Sequence, residues 1–237
     1  VIDVNEAPSF DGSSTVFTAD ENQTAIGTIL TIDPESDSLT LSIDGTDFSL
    51  TSAGVLSFIA APDFEAKSSY TAVASVSDAE YTSTATITVI VNNLNDNSPG
   101  FSSSASFSAA ENQTAIGTAT ATDADGEALT FTVSGSELAI TSAGVLTFIS
   151  VPDYETKSSY SATVTVTDGT NAATQEVAVT VLNVNDAPAF SSSATFSAAE
   201  NQTSIGSVSV SDPESDALTY SLSGTDAGSL AISSSGV

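Results

Sequence analysis

The chain has 237 residues, 40% of them hydrophobic, and a mean hydropathy of +0.16, which suffices for two or three small domains and argues against disorder. Its 30 acidic residues face only two basic ones, Lys67 and Lys157, giving a formal net charge of -28, so ion pairs cannot hold it together and nucleic acid is excluded as a partner. With no Cys and no His, disulfides, thiolate or imidazole metal sites and most hydrolase mechanisms are excluded, and any metal must be a hard, oxygen-liganded cation, calcium before magnesium.

Taken from its first residue, the chain starts at Val1 in mid-pattern, and no apolar stretch is long enough to cross a membrane, so a segment of a longer protein is expected. A Pro-containing joint, Asn5 to Phe10, leads to the tetrapeptide Glu21-Asn22-Gln23-Thr24, which returns at 111–114 and 200–203, at spacings of 90 and 89 residues. Other landmarks keep that register: Thr51 to Leu56 recurs at 141–146, Lys67 to Tyr70 at 157–160, and Asn95-Asp96 at 185–186. A period near 90 is domain-sized, so each unit can own a core. Further joints fall at Asn95 to Phe101 and Asn185 to Phe190. The predicted organisation is a linker over 1–7, repeats over 8–97 and 98–187, and a partial third repeat over 188–237 that lacks about half its strands and is not expected to fold well by itself.

Within a repeat the hydrophobic period is two, as half-buried strands require. Tyr70, Ala72, Ala74 and Val76 alternate with polar or smaller residues, as do Ala85, Ile87, Val89 and Val91. The second repeat matches with Tyr160, Ala162, Val164 and Val166, then Val177, Val179 and Val181. Ser, Thr and Val dominate these segments, and Gly54 and Gly144 mark hairpin turns. Roughly seven short strands per repeat make the expected fold all-β, a Greek-key β-sandwich repeated in tandem. Phe10, Phe101, Phe190, Tyr70 and Tyr160 are expected to pack into cores.

The acids recur at the same phase of each repeat, at predicted strand ends. In the second repeat they form Ala110-Glu111-Asn112, Asp123-Ala124-Asp125, Pro152-Asp153-Tyr154-Glu155 and Val166-Thr167-Asp168-Gly169, preceded by Asn95-Asp96-Asn97-Ser98-Pro99. Together these motifs resemble the extracellular cadherin repeat, and the resemblance covers the whole chain. Asp-Phe-Glu or Asp-Tyr-Glu stands where animal cadherins carry Asp-Arg-Glu, so the chain looks closer to bacterial cadherin-like domains. The resemblance implies seven-stranded cadherin/immunoglobulin-like sandwiches in a linear array, with calcium bound between neighbouring repeats of the same chain.

Carried over residue by residue, the resemblance gives the first joint Glu21, Asp63 and Glu65 from the upper repeat. It adds Asn95, Asp96 and Asn97 from the linker, and Asp123, Asp125 and Asp168 from the repeat below. The second joint would use Glu111, Asp153 and Glu155, then Asn185 and Asp186, then Asp212 and Glu214. At the amino end Asp3, Asn5 and Glu6 would join Asp33, Glu35 and Asp78 in a weaker half-site. Asn93 and Asn183 replace the linker's first aspartate, which removes a charge from each cluster, and Ala187 replaces its final asparagine. Because calcium takes 6 to 8 oxygens, ligands drawn from several segments assemble only when those segments are held together.

Other readings are weaker. Asp123 to Gly126 opens like an EF-hand loop, but Ala128 and Ser134 stand where that loop needs Gly and Glu. Asn22, Asn112 and Asn201 each head a glycosylation sequon, yet each adjoins a candidate ligand. A carboxylate pair such as Asp153 and Glu155 could serve glycoside hydrolysis, but catalysis needs one special site and these acids recur in every unit, so no enzyme is expected. The chain lacks Trp, which removes the tryptophan exchange through which vertebrate adhesion cadherins pair. Two functions follow as expectations: a calcium-stiffened extension segment of a cell-surface adhesin, or a module that itself binds a partner cell, by homophilic or heterophilic contact, or a polysaccharide. Both place the protein outside the cell, attached to a membrane through parts of its parent beyond this segment.

Overall fold

In a computed structural model of the chain, residues 4–12 and 15–237 are described. The first repeat carries β1 (Ser9–Phe10), β2 (Val16–Asp20), β3 (Ala25–Thr28), β4 (Thr31–Ile32), β5 (Thr40–Ile43), β6 (Phe48–Leu50), β7 (Val55–Phe58), β8 (Ser69–Ser77) and β9 (Thr82–Asn92). They form a four-stranded sheet in the order β2-β9-β8-β5, a three-stranded sheet β3-β7-β6 and the small pair β1-β4. Alternation fixes which side chains face inward: Ala72, Ala74 and Val76 of β8 and Ile87, Val89 and Val91 of β9 are buried, and the residues between them face outward or lie half-buried. Leu56 of β7 meets them from the facing sheet, Phe48 and Phe58 stack with ring centroids 5.2 Å apart, and Tyr70 meets Phe58 edge-on at 5.0 Å.

β2 pairs in parallel with β9, Val16 opposite Thr88 and Asp20 opposite Asn92, whereas β9 runs antiparallel to β8. The parallel pairing brings the end of the first long strand beside the end of the last, so Glu21 and Asn22 emerge next to the chain that leaves Asn92. This compact unit runs to Gly100 and takes in two further loops, Ala121–Leu129 and Thr167–Ala173.

The second repeat copies the pattern. Its strands are β10 (Gly100–Phe101), β11 (Ser106–Ala110), β12 (Ala115–Thr118), β13 (Ala121–Thr122), β14 (Thr130–Val133), β15 (Leu138–Ile140), β16 (Val145–Phe148), β17 (Ser159–Thr167) and β18 (Ala172–Leu182). The sheets have the orders β11-β18-β17-β14 and β12-β16-β15, β11 is again parallel to β18, and Leu146, Val164, Val166, Val177, Val179 and Val181 fill the core. Gly54 and Gly144 turn β6 into β7 and β15 into β16 at φ +81° and +87°. A Cβ there would lie 2.3 Å from the Ile29 carbonyl oxygen or 2.2 Å from that of Ala119, so only Gly fits.

Over 188–237 the order thins to β19 (Ala189–Phe190), paired with β20 (Val210–Ser211), and a 3-10 turn at Ala227–Ser229. Phe196, Ile205 and Leu222 are exposed. Phe190, expected in a core, is 73% exposed, while Phe10 packs against the first core and Phe101 lies edge-on to Phe131. Among the described residues the two lysines make the same contact: Lys67 pairs with Asp47 at 3.2 Å over the Tyr70 ring, and Lys157 with Glu137 over Tyr160.

Candidate metal centres

The first cluster is built around Glu21. It is 2% exposed although charged, because its two carboxylate oxygens accept the backbone N–H groups of Phe64 and Leu94, each at 2.8 Å. Those bonds tie the Asp63–Glu65 turn and the linker to the end of β2. The carboxylates of Glu21, Glu65 and Asp96 then converge, one oxygen of each lying within 4.8 Å of the others.

Asp125 faces the same linker. Its oxygens accept the N–H groups of Asp96 (3.0 Å) and Asn97 (2.8 Å) and the Asn97 side-chain amide (2.7 Å), and its carbonyl accepts the Asn93 amide at 2.9 Å. Asp168 accepts the N–H groups of Thr170 and Asn171 through Oδ1. Asn171 reaches the linker, donating to Asn95 Oδ1 at 2.9 Å and to the Asn97 carbonyl at 3.0 Å. The structure therefore brings together Glu21, Glu65, Asn95, Asp96, Asn97, Asp123, Asp125 and Asp168. Asp63 accepts the N–H of Ala66 through Oδ1, a bond within its own turn.

The second cluster repeats the geometry. Glu111, also 2% exposed, accepts the N–H groups of Tyr154 (2.8 Å) and Val184 (2.7 Å), and its carboxylate converges with those of Glu155 and Asp186 within 4.8 Å. Glu214 Oε2 accepts the Asp186 N–H at 3.2 Å, and Asn183 donates to Glu155 at 3.1 Å. Asn185 donates to the carbonyl of Asp186. Asp153, like Asp63, bonds within its own turn, to Thr156, and Asp212 accepts the N–H of Asp216.

At the amino end Asp3 lies outside the described residues. Asn5 donates to Asp78 at 3.1 Å, the Glu6 N–H to Glu35 at 3.1 Å and the Glu35 N–H to Asp33 at 3.1 Å, so these five do gather.

Several oxygens in these clusters are buried without any hydrogen-bond partner: Asn5 Oδ1, Asp33 Oδ2, Asp123 Oδ2, Glu127 Oε2, Asp168 Oδ2 and Glu214 Oε1. A buried carboxylate oxygen without a donor is costly, and oxygen-only surroundings of this kind suit a hard cation. Crowding also shows in the proton affinities. Loss of hydration pushes the Glu65 carboxyl up, helped by the charges of Glu21 and Asp125. Glu155 rises in the same way beside Glu111, Glu214 and Asp153. At Asp125 and Asp168 loss of hydration also pushes upward, but the N–H donors from Asn97 and Asp96, and from Asn171 and Thr170, outweigh it and hold both below the ordinary value. Asp78 is held down chiefly by the Tyr81 N–H.

Sequence reasoning overlooked Glu127, whose carboxylate lies with those of Asp123 and Asp125 within 4.8 Å. Alternate acids recur there in every repeat, as Asp33-Pro34-Glu35-Ser36-Asp37, Asp123-Ala124-Asp125-Gly126-Glu127 and Asp212-Pro213-Glu214-Ser215-Asp216, and that spacing was a usable signal. Asn171 gave none, because Tyr81 occupies its place in the first repeat.

The fold and the acid-lined loops define a protein of tandem immunoglobulin-type β-sandwiches. Residues 5–90 match the family model of a bacterial Ig domain. No curated protein matches the chain in sequence. Among solved structures, human protocadherin-24 EC1-2 is similar at 20% identity with a TM-score of 0.65, covering 76% of this chain and 100% of that one. Mouse cadherin-23 EC22-24 is similar at 23% identity and a TM-score of 0.68, over 98% of this chain and 87% of that one. The protocadherin gammaB4 extracellular domain shares 25% identity at a TM-score of 0.65, over 90% of this chain and 39% of that one. The fold of this chain is therefore that of cadherin-like β-sandwiches in tandem.

Proposed function

We propose that the chain is a calcium-binding segment of an extracellular adhesion or structural protein, in which calcium ions stiffen the joints between successive repeats. The observation that carries this reading is the recurrence of one carboxylate triad, Glu21, Glu65 and Asp96, as Glu111, Glu155 and Asp186, in a chain with too few cations of its own to neutralise either. At the first joint Glu21, Glu65 and Asp96 would bind from the end of the first sandwich, with oxygens of Asn95 and Asn97 from the linker. Asp123, Asp125 and Asp168 would bind from the two loops that belong to the same compact unit. At the second, Glu111, Glu155, Asn185, Asp186, Asp212 and Glu214 would do so. Asp63 and Asp153 would join from the turns that carry Glu65 and Glu155, and Asn5, Glu6, Asp33, Glu35 and Asp78 would form the amino-terminal half-site.

The ion supplies positive charge where three or more carboxylates meet and replaces their lost hydration. Glu21 and Glu111 hold their carboxylates on backbone donors, and Asn97 and Asn171 lace the linker to the loops that complete the shell. The acids recur at each linker, so the reading is of a binding and load-bearing protein and not of an enzyme. A role outside the cell, anchored through other parts of the parent, follows from the same reading and from the cadherin neighbours.

Calcium titration of the full chain by calorimetry, with small-angle scattering with and without EDTA, tests the proposal. Binding of several ions with dissociation constants of about 0.1 to 1 mM, with a stiffer particle, is expected. No binding at millimolar calcium and an unchanged particle overturn it.

A further inference from the structure

The asparagine that follows each buried glutamate is a separate device. Asn22, Asn112 and Asn201 all lie in the left-handed region, at φ +62°, +62° and +63°. Such a position is easiest for glycine, and glycine serves at comparable turns elsewhere, including Gly45, Gly54, Gly135 and Gly144. Here all three repeats carry an amide instead.

In the two repeats with complete sandwiches the amide has a definite target. The Asn22 side-chain amide donates to the Asp96 carboxylate, and that of Asn112 donates to Asp186 Oδ1 at 2.9 Å. The backbone of each is fixed from the other side, with Asn22 N–H donating to the Pro62 carbonyl at 3.0 Å and Asn112 N–H to that of Pro152 at 3.1 Å. Each asparagine therefore bridges the turn carrying Glu65 or Glu155 to the linker aspartate of its own repeat, across a sequence distance of 74 residues.

We infer that Asn22 and Asn112 are positioning residues that hold the linker aspartates Asp96 and Asp186 in the ion-binding orientation before an ion arrives. The inference rests on the calcium reading above and deepens it. A carboxylate restrained by a neutral amide keeps its charge for the metal and loses less freedom when the metal binds, the role that outer-sphere donors play at other metal centres. Because the amide and the aspartate belong to the same repeat, this hold on the aspartate side chain uses no residue of the repeat that follows, which grips the linker separately through Asp125 and Asn171.

The test uses the full chain with Asn22→Gly and Asn112→Gly, which keep the left-handed turn and remove the amide, and with Asn22→Asp, which keeps the shape but replaces the donor with a charge. In calcium-free protein, amide hydrogen exchange over 94–97 is expected to accelerate in N22G, and over 184–187 in N112G, while the thermal midpoint stays close to the parent's. Calcium affinity at the affected joint is expected to fall about tenfold or more, and further in N22D. Parent-like exchange or parent-like affinity in the glycine variants overturns the inference, since the asparagines would then serve only the turn. If the parent chain binds no calcium, the calcium reading fails, and the exchange measurement still reads the hold on the linker.

Discussion

Glu21, Glu111 and Glu200 share a motif and differ in surroundings. The first two are 2% exposed and doubly bonded to backbone N–H groups, while Glu200 is exposed to solvent. Glu21→Gln leaves an amide N–H facing a backbone N–H and is expected to destabilise the first repeat by about 1 to 3 kcal/mol, measured by urea unfolding in EDTA. Protonation follows from the same crowding. Glu65 and Glu155 titrate above their unfolded values, so the stability they contribute to metal-free protein is full below the unfolded value and is lost as pH rises through the folded one. Asp78, Asp125 and Asp168 titrate below theirs, so their contribution is present above the unfolded value and disappears as pH falls through the folded one. On the proposed calcium reading, an entering ion would displace any proton on Glu65 and Glu155. Affinity should therefore weaken as pH falls into the upper carboxylate range, with proton release visible as a buffer-dependent heat of binding.

At the scale of elements, alternation made β8, β9, β17 and β18 readable, since Val76, Val89, Val166 and Val179 keep their inward phase without a break. The turn glycines were equally legible. Gly54→Ala combines a left-handed φ with a clash against the Ile29 carbonyl and should cost at least about 2 kcal/mol, and Leu56→Ala should cost about 2 to 5 kcal/mol through its cavity; thermal denaturation in EDTA reads both. Side-chain aim was harder to read. Motif position brought Asp63 and Asp153 into the ligand set, and each also accepts an N–H of its own turn, a local bond that the motif alone does not reveal. Asn171 meets Asn95 and Asn97 only after strands distant in sequence have paired, whereas Glu127 lies with Asp123 and Asp125 in one loop, where alternate spacing is a local signal. Phe190 was assigned to a core by its place after the joint proline, but its ring is 73% exposed, since that local position does not fix what packs over it.

For the molecule as a whole, charge decides the response to solution conditions. With a formal charge of -28 and two ion pairs among the described residues, like-charge repulsion opposes the folded state wherever metal is removed. Adding sodium chloride to EDTA-treated protein should raise its thermal midpoint, because the Debye length shrinks to about 3 Å at 1 M. If calcium fills the clusters as proposed, the same salt should do much less in millimolar calcium, where the clustered carboxylates would already be neutralised. A salt response identical in the two conditions would place the repulsion on the general surface and away from the clusters.

The parallel register of β2 with β9 has a mechanical consequence. Tension along the polypeptide pulls β2 toward its beginning and β9 toward its end, so the hydrogen bonds between Val16–Asp20 and Thr88–Asn92 are loaded together, in shear. An antiparallel terminal pair would open one bond at a time from its end. Each sandwich carries this latch, repeated in β11 and β18, at the point where pulling force enters and leaves it. Stretched singly, a repeat should therefore resist until the whole latch fails at once, giving a force trace of discrete peaks and not a smooth extension.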